Sequence, residues 1–245
     1  MYKALWIFMA AAAGLGLFGM ALQRIEEDVF PTPGGDLRIS FVGHGSLFLT
    51  FGDKVVHVDP VGSEGDYAIL PKADLILVTH EHGDHLDPET IRRLLKAGTQ
   101  VVVSPSCAGK LKDAVVMMNG ERRSFQGFEV EAVPAYNIVH KRPDGSPFHP
   151  KGQGNGYVLA IGGKRIYIAG DTEPVPEMAA LKGIDIAFLP MNLPYTMSPE
   201  MTAEAARTIR PRILYPYHFG STDTGRLDKL LKGEPEIEVR VRPMS

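Results

Sequence analysis

LILVTHEHGDHLDP, residues 75–88, sets an apolar run of strand length against a knot of titratable side chains. Leu75-Ile76-Leu77-Val78 reads as a strand buried on both faces, as in the middle of a layered α/β sheet. His80, His82, Asp84 and His85 follow directly. Extended residues two apart point the same way, so His80 and His82 can face one point. Gly83 permits a turn, after which Asp84 and His85 can reach a second point nearby. Imidazole and carboxylate suit zinc, iron or manganese at roughly 2.0–2.2 Å. Incidental histidines at a solvated helix start are the alternative, since acids are favourable there. Three histidines at i, i+2 and i+5, in a chain with 8, favour the metal.

Working outward, Asp87 and Pro88 open a helix that Gly98 is expected to end. LRISFVGHGSLFLTFGDKVVHVDP, residues 37–60, reads as consecutive short strands with a hairpin turn at Gly52-Asp53. QVVVSP, residues 100–105, is the next strand, parallel by crossover logic. CAGKLKD is expected to form a short helix, then AVVMM, RRSF and FEVEAVPA three strands. Residues 137–154 form a polar, Pro/Gly-rich loop of a length that is often functional. Strands return at GYVLAIG, KRIYIAGDT, IDIAFLP, RILYPY and IEVRV. Helices are expected in the second half of EPVPEMAALKG, in MTAEAARTIR and in LDKLLKG. No internal repeat stands out. Two blocks, roughly 37–125 and 127–241, each mix hairpin strands with strand–helix units. That pattern predicts two packed sheets with helices outside, an α/β sandwich.

Length bounds the answer: 245 residues suffice for one large domain. A formal net charge of −3 and the lack of a Lys/Arg block give no case for nucleic acid. Cys107 is the only cysteine, which excludes an intrachain disulfide and a thiolate zinc site. It reads as a small buried residue. Residues 4–22 carry no charge and follow Lys3. They fit a cleaved signal peptide, an uncleaved membrane anchor, or an N-terminal core helix. The first two place the protein on the exported side, periplasmic or extracellular. Residues 23–36 read as a linker, and the folded domain is expected over 37–245.

HEHGDH after a buried strand resembles the HxHxDH signature of the metallo-β-lactamase-fold hydrolases. Tyr167-Ile168-Ala169-Gly170-Asp171-Thr172 resembles that superfamily's strand ending in GDT, and Tyr217-His218-Phe219-Gly220 its final metal-binding histidine. Gly43-His44-Gly45-Ser46 and Val58-Asp59-Pro60 resemble the branch that includes L-ascorbate-6-phosphate lactonase, to which N-acylphosphatidylethanolamine-hydrolysing phospholipase D is a more distant relative. The resemblance covers residues 37–220. It implies an αββα four-layer sandwich and two divalent ions, Zn2+ or alternatively Mn2+ or Fe2+. His80, His82 and His149 would hold one ion, Asp84, His85 and His218 the other, with Asp171 and a hydroxide between them. The family pattern places a further histidine near Val133-Pro134-Ala135-Tyr136-Asn137, where this chain has Asn137. His149 is the first choice to replace it, and His140 and Asn137 are the alternatives.

Asp59 is expected to accept a hydrogen bond from a ligand histidine, and His57 to pack or to support a ligand. Asp84 and His44 are the candidate catalytic residues, His44 at the pocket rim. Tyr136, Lys151 and Tyr195 lie on loops near the expected mouth. The implied reaction is attack of hydroxide on an ester, lactone or phosphodiester, with a small-molecule or lipid-derived substrate. No GxSxG elbow is present. Two rival classes stand beside this: a non-catalytic binding protein on the same fold, and a di-iron oxidoreductase. Relatives of the latter kind put Glu where His82 stands and append a flavin domain.

Overall fold

The computed structural model describes residues 25–245. The apolar stretch 4–22, with its reading as a signal or anchor, lies outside the described residues. Among the described residues no helix is long and apolar enough to cross a membrane.

Two seven-stranded sheets follow one another along the chain. The first holds β1 (Glu26–Thr32), β2 (Gly35–Gly43), β3 (Ser46–Phe51), β4 (Lys54–Val58), β5 (Leu75–Val78), β6 (Gln100–Val103) and β7 (Val115–Val116), side by side in chain order. The second holds β8 (Arg122–Phe125), β9 (Phe128–Ala135), β10 (Gly154–Ile161), β11 (Lys164–Ile168), β12 (Ile186–Pro190), β13 (Ile213–Tyr217) and β14 (Glu238–Val239), also in chain order. In each sheet the first four strands pair antiparallel and the last four parallel. The repeat that the residues do not show is therefore present in the topology.

Side-chain alternation stacks the layers. Leu75 and Leu77 point into the inner core while Ile76 and Val78 point outward. Ile186 and Phe188 face that core from the second sheet, and Ala187 and Leu189 face away. Burial on both faces explains why these strands read as unbroken apolar runs. Helix α1 (Pro88–Leu94) covers the first sheet through Ile91 and Leu94. Helices α2 (Pro199–Ile209) and α3 (Gly225–Leu230) cover the second through Ala203, Ala206, Ile209 and Leu227. The result is the expected αββα sandwich.

Several boundaries differ from the sequence reading. The expected linker over 23–36 is wrong from residue 26: β1 pairs with β2 from Glu26↔Phe41 to Thr32↔Gly35. Its acids and Pro31 disguise a strand, and an edge strand tolerates both. Asp28 of β1 accepts from Arg242 (2.7 Å) and from Tyr215, so this edge is fastened to the chain's last strand region. The break between sheets falls between Val116 and Arg122, before the expected Gln126-Gly127 turn. Asp87 caps α1 by accepting from the Glu89 and Thr90 amides, as expected, but the helix ends at Leu94 rather than near Gly98. The expected helices at CAGKLKD and EPVPEMAALKG are only 3-10 turns, Pro105–Cys107 and Pro176–Ala180. Neither turn has a side-chain hydrogen bond from its N-cap residue, Ser104 or Val175, whereas Asp87 and Ser198 cap the longer helices. Cys107 is buried, as read.

Candidate metal centre

Parallel pairing aligns the C-terminal ends of β4 and β5, and of β11, β12 and β13. Asp59 follows β4, Thr79 and His80 follow β5, Asp171 follows β11, and His218 follows β13. Residues distant in sequence thus meet at one edge of the sandwich. His82 lies on a turn closed by the His85 and Leu86 amides donating to its carbonyl at 3.0 and 2.8 Å, not on extended chain as read. Convergence with His80 survives: His80 Nε2 lies 3.1 Å from His82 Nδ1.

Hydrogen bonds behind the rings fix which nitrogens face the centre. Asp59 accepts from the Thr79 amide at 2.7 Å and from its hydroxyl at 2.6 Å. With its proton committed, the Thr79 hydroxyl is left to accept from His80 Nδ1 at 3.1 Å. His85 Nδ1 donates to Asp59 at 2.8 Å, the support read from the sequence. His149 Nδ1 donates to the Asn137 side-chain oxygen at 2.8 Å, and Asn137 Nδ2 donates to the Tyr195 carbonyl, which fixes the amide's orientation. His80, His85 and His149 are therefore Nδ1–H tautomers, each presenting a bare Nε2 lone pair inward.

The His80 and His149 lone pairs share a single ring nitrogen, His82 Nδ1, as their neighbour, and that of His85 has no hydrogen-bond partner. His149 Nε2 lies 3.3 Å from His82 Nδ1 and 3.3 Å from Asp171 Oδ2. His85 Nε2 lies 3.4 Å from Asp171 Oδ1, and both atoms lack a hydrogen-bond partner. His218 Nε2, also unpartnered, lies 3.3 Å from Asp171 Oδ2. Two tetrahedral ligands at roughly 2.0–2.1 Å from a zinc ion sit about 3.3 Å apart, which matches these separations. Buried acceptors facing one another are costly unless a cation or proton lies between them. The donor set fits divalent ions. His80, His82 and His149 form one group with ligand atoms within 4.8 Å of one another; His44, Asp84, His85 and His218 form a second, and His80, His85 and Asp171 a third.

The electrostatics agree. Burial resists a charge on Asp171, but His218, His85, His80 and His149 outweigh it and hold the carboxyl far below its ordinary range. Burial likewise opposes a charged His85, yet Asp171, Asp59 and Asp84 push its ring up to about 9 in the absence of metal. Burial drives His149 down to about 4, against the pull of Asp171.

His44 borders the same cleft, with Nε2 3.3 Å from Asp84 Oδ2 and its ring 3.8 Å from that of His218. His44, Asp59 and His218 all have left-handed backbones, at φ 47°, 42° and 48°, a strain of about 1 kcal/mol or more each that clusters at functional sites. Gly45 is needed for close approach: a Cβ there would lie 2.8 Å from His85 Cε1. The cleft encloses about 420 Å³ between His44, His82, Asp84, His149, Asp171, His218, Asn192, Tyr195, Phe148 and Arg142.

His140 stands apart, its Nδ1 2.6 Å from buried Glu173. Asn137 orients His149 instead of replacing it. His57 packs outward against Phe48 and Tyr67, away from the centre. Tyr136 and Lys151, expected near the mouth, bind Glu177 and do not line the cleft; Glu177 lines a separate cavity. Sequence reasoning missed two residues. Thr79 relays Asp59 to His80, and only its place between strand and histidine hints at that. Glu173 accepts from the amides of Ile138, Val139 and His140 at 2.6, 2.6 and 2.8 Å, anchoring the loop that carries His149. Its position beside Asp171-Thr172 was the available signal.

An αββα sandwich with this histidine–aspartate set at its strand ends defines a protein of the metallo-β-lactamase fold. The β-lactamase superfamily domain model matches residues 38–218. A UPF0173 metal-dependent hydrolase of Thermus thermophilus is 35% identical over 203 residues, spanning 78% of this chain and 88% of the relative. A crystal structure from Parabacteroides distasonis, assigned as a metal-dependent hydrolase, is 46% identical, covers 91% of this chain and 100% of its own, and superposes with a TM-score of 0.86. Igni18, a metallo hydrolase of Ignicoccus hospitalis, shares the fold at TM-score 0.69 and 23% identity, covering 85% of this chain and 96% of its own. The chain belongs to the β-lactamase superfamily, as one of its UPF0173-type metal-dependent hydrolases.

Proposed function

We propose that the site is binuclear and hydrolyses an ester, lactone or phosphodiester bond. In this reading His80, His82 and His149 hold one ion, Asp84, His85 and His218 the other, and Asp171 lies between the two. One observation carries it: inward lone pairs of His80, His85 and His149, fixed by hydrogen bonds behind each ring, converge with those of His218 on Asp171. The donors are imidazole and carboxylate without thiolate, which suits Zn2+, with Mn2+ or Fe2+ as alternatives.

When bound, the ions supply Lewis acidity that lowers the pKa of water and polarises the scissile carbonyl or phosphoryl oxygen. The chain's own groups orient and move protons. Asp59, Thr79 and Asn137 hold the imidazoles in the required tautomers. Asp84, half exposed and aimed at the cleft, takes up the proton of the attacking water. His44, bonded to Asp84, is placed to pass a proton to the leaving oxygen, so that the water oxygen gains the acyl or phosphoryl bond and the alcohol departs neutral. Phe148, Tyr195 and the backbone of the 137–153 loop exclude solvent from one side.

Export belongs to the same proposal. The uncharged run 4–22 after Lys3 supports a signal or membrane anchor, placing the hydrolase outside the cytoplasm with a small-molecule or lipid-derived substrate and no nucleic-acid partner. N-terminal sequencing of protein from the native host tests this: cleavage near residue 22, or recovery of the intact chain in membranes, is expected. Intact Met1 in a soluble cytoplasmic fraction contradicts it. For the chemistry, metal-loaded protein is assayed against matched lactones, aryl esters and phosphodiesters. Turnover of at least one class is expected, lost on chelation, restored by added Zn2+, and lost in Asp84→Asn together with weaker binding of the ion that Asp84 would help to hold.

A further inference from the structure

Arg142 lines the catalytic cleft, and no carboxylate lies within ion-pair distance of it among the described residues. Its nearest acid in sequence, Asp144, feels the Arg142 charge without forming an ion pair with it, and its Oδ1 accepts instead from the Ser146 amide at 2.9 Å and hydroxyl at 2.6 Å. The guanidinium instead rests over the Phe148 ring, 5.0 Å from its centroid, with one contact of 3.4 Å to the Phe148 carbonyl. Phe148 in turn meets Tyr195 edge-on at 5.2 Å. A planar cation braced on an aromatic face keeps its remaining donors free and pre-oriented for an oxyanion.

Beside it the cleft wall carries two aromatic rings, Phe148 and Tyr195. Of the nine exposed large hydrophobic residues among the described residues, four stand on the two loops that carry Asn137 and Tyr195: Ile138 (44%) and Val139 (66%) on one, Leu193 (46%) and Tyr195 (47%) on the other. The hydrogen bond from Asn137 to the Tyr195 carbonyl, 2.9 Å, ties those loops together. Scattered single hydrophobics need no explanation, but such a cluster beside a cleft does.

We infer that the cleft selects an anionic amphiphile: a substrate with a carboxylate or phosphate held by Arg142 and a short hydrocarbon body resting on Phe148 and Tyr195. The inference rests on the hydrolase proposal for its chemistry, but its recognition step is independent of turnover.

The test has two arms. In the first, metal-loaded protein is assayed on 4-nitrophenyl hexanoate and on mono-4-nitrophenyl adipate, esters of equal chain length that differ in a terminal carboxylate. Wild type is expected to prefer the anionic ester about tenfold in kcat/KM. Arg142→Gln removes that preference by raising KM for the adipate alone, and Arg142→Lys restores part of it. In the second, calorimetry measures binding of hexyl phosphate, hexanoate and hexanol to metal-free protein, where contact with an ion contributes nothing. The better-bound anion names the head group, hexanol binds weakest, and Arg142→Gln weakens the anion about tenfold. Equal loss on both esters, or anion binding unchanged in Arg142→Gln, overturns the inference. If neither ester is cleaved the ester reading of the hydrolase proposal is at fault, and the calorimetric arm still decides the role of Arg142.

Discussion

His149 and Asn137 show how one residue's loss becomes another's task. The position where the family pattern has histidine holds an amide, and that amide now orients a ring twelve residues on, as the hydrogen-bond geometry places it. His149→Ala is expected to lower metal content by one ion per chain. Asn137→Ala keeps the stoichiometry but weakens affinity about 10–100-fold, the usual consequence of removing an orienting partner. His140→Ala leaves both unchanged. Metal analysis after dialysis against a graded chelator reads all three, and a loss of one ion in His140→Ala with none in His149→Ala would reverse the assignment. His57 provides a pH prediction away from the centre. Burial lowers its ring to about 4, with only the Pro71 carbonyl opposing. The unfolded chain binds this proton at about 6.5, so the contribution to stability is complete above that pH and is lost as pH falls towards 4. Between pH 7 and 4.5 the loss is about 2–3 kcal/mol. His57→Phe, which can stack on Phe48 in its place, should show a shallower fall over that window in paired urea denaturations. Identical slopes for both proteins would contradict it. The HxHxDH residues were legible because their spacing is local. Thr79 was not, because a hydroxyl relay has no pattern until Asp59 is placed beside it.

At the scale of elements, strands and α-helices were legible, and the two 3-10 turns, read as helices, were not. Runs such as Leu75–Val78 and Ile186–Pro190 are buried on both faces, and burial writes itself into composition. β1 escaped because an edge strand is held by backbone pairing and by Asp28, not by an apolar pattern. The loop over 137–154, whose length marks it as functional, ends at residue 153, just before β10 begins, and Glu173 gives the physical reason that it is ordered. Its carboxylate accepts from three consecutive amides and from His140, and although burial opposes ionisation, those amides hold it below its ordinary range. Glu173→Gln presents an amide nitrogen to donors and removes the charge. A loss of about 1.5–3 kcal/mol is expected, together with faster proteolysis at the exposed residues 141–146 and weaker binding at the His149 site. Unaltered stability and cleavage would mean that the loop is held by something else.

The whole molecule places the centre where two topologically equivalent sheets turn the ends of their parallel strands to one edge. The proposed ligands come from both halves: His80, His82 and His85 from the first, His149, Asp171 and His218 from the second. Metal binding therefore fastens the halves together and must stabilise the fold. At a thousandfold excess over Kd, a site binding only the native state adds about 4 kcal/mol. At roughly 2–4 °C per kcal/mol for a chain of this size, chelation should lower Tm by about 10 °C, reversibly on adding Zn2+. A chelator-insensitive Tm would contradict such a link. The arrangement of six residues around Asp171 is the central claim, and anomalous diffraction from crystals of the metal-loaded protein tests it most directly. The expected result is two peaks, one among His80, His82 and His149 and one among Asp84, His85 and His218, with Asp171 touching both. Loaded crystals with no peak within bonding distance of Asp171 would contradict it.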